Sequence, residues 1–145
     1  MKLIFPFSII LIFLITKWWF VLPEDGPDKF FWGFPLAFMG EGFHTSMSFQ
    51  FFLLEFIIDF FIYVIFFATL LFIIRKRFPN LLFRSALVKI SWAISFVLLL
   101  GFGLLVFNSN PLFKWTRNYD WKLIDTGYIF IWQSTPRPEI NSYHL

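Results

Sequence analysis

Glu55 and Asp59 stand four positions apart within an apolar stretch over residues 47–74. On a helix that spacing puts both carboxylates on one face, one turn apart. Ser48 and Tyr63 fall on the same face, so the stretch carries a polar stripe of Ser48, Glu55, Asp59 and Tyr63. Paired carboxylates serve acid–base catalysis or proton transfer. Inside a membrane span they are costly unless they face protein, water or an opposite charge. Here they lack a companion histidine, a serine nucleophile at a recognisable turn and a phosphate-binding glycine loop. No catalytic residue is assigned. A proton path would need acids at several depths, and the inner half of the stretch has none.

The elements that must hold this stripe follow from composition. The chain has 145 residues, 59% of them hydrophobic, with 25 Phe and only 14% charged. A soluble domain normally carries about a quarter charged residues. So much apolar surface makes the bilayer part of the solvent. The expected fold is an all-α membrane protein with three transmembrane helices, over about residues 3–22, 47–74 and 90–107. The first follows Lys2 and has no small-x-small cleavage site, so it reads as an uncleaved span. Residues 1–111 form the membrane domain on this reading, and 112–145 an external aromatic tail.

Between the first two spans, residues 23–46 open with acids and prolines. They continue through Phe30-Phe31-Trp32-Gly33-Phe34-Pro35, too broken to span and expected to lie in the interface. In the tail, 121–124 and 128–133 read as two short strands around the turn Asp125-Thr126-Gly127. Trp121, Tyr128, Phe130 and Trp132 are the expected external docking residues.

Arg75, Lys76, Arg77, Arg84 and Lys89 crowd the second loop, whereas the first carries Lys29 against Glu24, Asp25, Asp28 and Glu41. Basic loops stay in the cytoplasm. The expected topology is N-terminus in and C-terminus out, in a bacterial inner membrane. Counting from Ile74 at the inner boundary, Asp59 lies about 22 Å up, and Lys17, counted from Leu3, about 21 Å. Lys17 and Asp59 are therefore expected to pair across neighbouring helices. Ser91 and Ser95, with Gly101 and Gly103 higher up, are expected to allow close helix packing.

Cysteine is absent, which excludes disulfides and thiolate metal sites. His44 and His144 lie outside the spans, which argues against a haem held between them. Glu41 with His44 is two ligands short of a metal site. No cofactor and no nucleic acid is expected, since no basic face is interleaved with polar surface.

The stretch Gly33-Phe34-Pro35-Leu36-Ala37-Phe38, followed by an acid-bearing span, resembles small uncharacterised bacterial multi-span membrane proteins with a Gly-Phe-Pro-type segment before the second span. The resemblance covers about residues 30–75 and implies no activity.

The expected function is a non-catalytic accessory subunit of a larger membrane protein complex. The expected partners are the lipid bilayer and other membrane subunits. One alternative is a small transporter or channel component, built by homo-oligomerisation, that uses Asp59 and Glu55. Another is a membrane-embedded enzyme or maturation factor acting on lipid.

Overall fold

From Ile15 the chain turns β-branched and aromatic, and the first helix ends there. In the computed structural model α1 spans Ile4–Leu14 and β1 runs directly on from it, Ile15–Pro23. Residues 2–23, 27–42, 48–78, 85–108, 111–117, 120–130 and 132–136 are described. Both histidines lie outside them.

The elements that follow are β2 (Lys29–Trp32), β3 (Met39–Glu41), β4 (Phe49–Phe52), α2 (Leu53–Arg77), α3 (Ser85–Asn108), β5 (Leu112–Lys114) and β6 (Trp121–Phe130). The all-α expectation is thus overturned. The described residues form three helices and a six-stranded mixed sheet, and only α2 and α3 are long and apolar enough to cross a membrane. Hydropathy counts a Trp-Phe-Val strand as readily as a helix, which is why 3–22 reads as one span.

The sheet has the order β5-β4-β3-β2-β1-β6, antiparallel except for the β4–β5 pair. It joins the segment after residue 111 to the N-terminal half, so β5 and β6 are its two edges. The hairpin expected in the tail is instead one strand, β6. It pairs with β1 from Ile15↔Phe130 to Pro23↔Trp121, with an irregularity at Phe20/Val21. Gly127 lies within that strand opposite Trp18. A Cβ there would come within 2.8 Å of the Trp18 indole, so glycine marks a close approach rather than a turn.

Alternation sorts the large residues onto two faces. Trp18 and Phe20 of β1 lie beside Trp32 and Phe30 of β2 on one, while Trp19 lies beside Phe31 on the other. Phe20, Phe31, Phe52 and Val21 are fully buried.

Below the sheet, α1 packs against both α2 and α3. The two long helices leave most of their apolar surface uncovered: Phe72 is 69% exposed and Phe107 78%. A core helix of a soluble protein would hide such residues.

Candidate functional site

Both acids of the stripe are engaged by backbone. Asp59 is fully buried, and the Leu36 amide donates to its Oδ1 at 3.0 Å and to its Oδ2 at 3.2 Å. Leu36 belongs to the loop between β2 and β3, where Gly33 has φ +142° and the Phe34–Pro35 peptide is cis. A Cβ on Gly33 would collide with the Leu36 carbonyl, so both φ and space demand glycine.

The loop is held from other sides too. The Gly33 amide donates to the Lys17 carbonyl at 2.9 Å, and the Trp19 indole donates to the Gly33 carbonyl at 2.9 Å. The Phe38 amide donates to the Trp32 carbonyl, and the Phe38 carbonyl accepts from Phe52.

Glu55 performs a parallel task one turn earlier. Its Oε1 accepts from the Arg117 amide at 3.1 Å and the Thr116 hydroxyl at 3.3 Å. The first turn of a helix suits a carboxylate, because the unpaired amides there carry partial positive charge. The Leu54 amide donates to the Trp115 carbonyl at 3.0 Å, so the same segment satisfies a helix-start donor. The Arg117 guanidinium lies over Trp121, 3.8 Å from the ring centroid. Glu55 Oε2 is buried without a partner among the described residues.

Lys17 and Asp59 do not form the expected ion pair. The Lys17 ammonium sits 3.8 Å from the Trp19 ring centroid and 6.0 Å from that of Tyr128. The two residues nevertheless meet one loop: the Lys17 carbonyl holds Gly33, and the Asp59 carboxylate holds Leu36. Lys17 lies on β1, so the helical count from Leu3 that set its depth does not apply.

Tyr63 is buried in an apolar cluster with Ile12, Phe38 and Phe51. Ser91 and Ser95 are buried, and the Ser95 hydroxyl lies 2.9 Å from the Pro6 carbonyl and 2.8 Å from that of Ser91. The serines therefore lie where α1 meets α3. Gly101 and Gly103 do not serve close packing, because a Cβ on either would meet nothing within 4 Å.

Of the expected docking residues, Trp121 is packed against Phe31, ring centroids 4.6 Å apart, and is not a free contact. Tyr128, Phe130 and Trp132 are exposed, with Phe130 and Trp132 stacked at 4.8 Å.

Gln50 escapes sequence reasoning. It is fully buried, its amide nitrogen donates to the Glu41 carbonyl at 2.8 Å, and its Oε1 has no partner among the described residues. Its one signal is a polar residue inside Phe49-Gln50-Phe51-Phe52.

The arrangement is a clasp. Two carboxylates, one turn apart on α2, fasten two segments of the sheet layer to one helix. Among the described residues no three His, Cys, Asp or Glu side chains gather as a metal site. The chain matches no protein-family model, no curated protein and no solved structure.

Proposed function

We propose that this chain is a non-catalytic accessory subunit of a membrane protein complex. In this reading α2 and α3 both cross the bilayer, each packed against α1, with Arg75, Lys76 and Arg77 on the cytoplasmic side. The sheet lies beyond the outer surface, and its lower part enters the outer leaflet with α1. Strand backbone at that depth is tolerable because β1 is hydrogen-bonded on both sides, by β2 and β6. Trp115 and Trp132, both exposed, suit the interface as anchors.

The observation that carries the docking role is the outer edge of β6. The strand runs Trp121–Phe130, and no described strand pairs with its far side. Leu123 and Tyr128 on it are 44% and 61% exposed. A long unpaired edge is a template for strand addition. The opposite edge, β5, covers only Leu112–Lys114 and offers little ladder. The occupant proposed for β6 is an extended strand of a partner membrane protein. The engagement of Glu55 and Asp59 by backbone supports a structural role for the acids over the transporter and lipid-enzyme alternatives.

A photo-crosslinking residue at Tyr128 tests this reading in intact membranes. It should give one discrete product, and Leu123→Lys should reduce that product at least tenfold without lowering the level of folded protein. A product of twice the 17.5 kDa chain mass would replace the foreign partner by a second copy. An equal yield from a crosslinker at Trp115 would reject β6 as the contact.

A further inference from the structure

A cavity of about 320 Å³ lies where α1, α3 and the lower ends of β1 and β6 converge. Ile12, Phe13, Met39, Phe102, Leu105 and Ile129 form much of its wall, and no charged residue lines it. Of the polar groups around it, the Thr16 hydroxyl alone is buried without a partner among the described residues. The Gln133 side-chain oxygen accepts from the Phe130 amide at 2.9 Å, and the Trp32 indole donates to Thr135 at 3.1 Å. Water needs two to four polar partners to settle in such a space, and apolar cavities stay dry. The volume stands at the low end of the roughly 300–1,000 Å³ typical of small-molecule sites.

The cavity's rim includes Leu105, 71% exposed on the surface of α3, and Phe130, also exposed. Leu105 lies about 5 Å below the end of α3 at Asn108, by the rise of a helix. With α3 crossing the bilayer, the mouth opens sideways, just inside the outer hydrocarbon boundary. We propose that this cavity takes one acyl chain of a membrane glycerophospholipid, a reading that rests on the membrane placement above. A free fatty acid fits less well, since no cation lines the cavity to meet its carboxylate.

The full chain, reconstituted in phosphatidylethanolamine–phosphatidylglycerol vesicles, can be irradiated with a phosphatidylethanolamine bearing a diazirine midway along one acyl chain. Label should concentrate on the peptides containing Phe13 and Ile129, relative to the exposed face of α2 around Phe66. Leu105→Trp, which crowds the mouth from an exposed position, should cut the cavity label at least tenfold and leave the α2 label unchanged. Leu105→Ala should retain it. Cavity label no denser than on α2, or unmoved by Leu105→Trp, overturns the site. Stronger cavity labelling by a diazirine fatty acid overturns the phospholipid assignment. An α2 helix that takes no label at all instead overturns the membrane placement.

Discussion

Phe31→Ala should destabilise the folded protein by about 3–5 kcal/mol, the range for deleting a buried phenyl ring. Phe31 is fully buried near the centre of the sheet, stacked on Phe52 at 6.1 Å and meeting Trp121 edge-on at 4.6 Å. It therefore ties β2 to β4 and to β6 at once. Its ring also covers Gly40, the residue opposite it on β3. A Cβ on Gly40 would collide with that ring, so Gly40→Val alone should destabilise by about 1–3 kcal/mol through overpacking. The space freed by Phe31→Ala admits the valine, so the double variant should lose less than the sum of the two single losses. Thermal denaturation of the three variants in mild detergent measures this. Additive losses would mean that Phe31 and Gly40 do not share the space assigned to them.

Asp59→Ala should lower stability by about 1–3 kcal/mol, because the carboxyl acceptor is removed and the partly buried Leu36 amide is left without its partner. Asp59→Asn retains an oxygen that can accept from Leu36 and should lose less. Lys17→Ala removes only the cation–π contact with Trp19 and Tyr128, worth about 0.5–1 kcal/mol. With no shared side-chain contact, the losses of Lys17→Ala and Asp59→Ala should add in the double variant. An ion pair would behave otherwise: the double variant would be less damaged than the sum, because no charge is left stranded. Melting temperatures of the four proteins in one detergent separate these outcomes.

The long helices were legible in the sequence because their apolar runs end in strong signals. Arg75-Lys76-Arg77 closes one, and Asn108-Ser109-Asn110-Pro111 the other. Their starts were less so: Phe49–Phe52 is mostly aromatic and runs straight into the helix it precedes, yet it pairs with β3. The same ambiguity hid β1. Its Ile-Thr-Lys-Trp-Trp-Phe-Val run is rich in strand formers, which hydropathy does not register. The tail's alternation marked it as strand, but Asp125-Thr126-Gly127 imitates a turn. Only the Trp18 indole, contributed from far along the chain, explains a glycine in mid-strand. Asp59 stood out correctly as a polar group in an apolar helix. Its partner did not, because a backbone amide in a loop leaves no mark in the sequence, whereas a lysine does.

The proposed placement has α2 and α3 crossing the bilayer and the sheet on the side away from the basic end of α2. The chain contains no cysteine, so single cysteines can be labelled without background. Lys76, at the basic end of α2, and Lys122, on β6, are both exposed. In intact cells a membrane-impermeant maleimide should label Lys122→Cys fully and Lys76→Cys only after the membrane is permeabilised. Labelling of both positions in intact cells, or of Lys76→Cys alone, would overturn this placement.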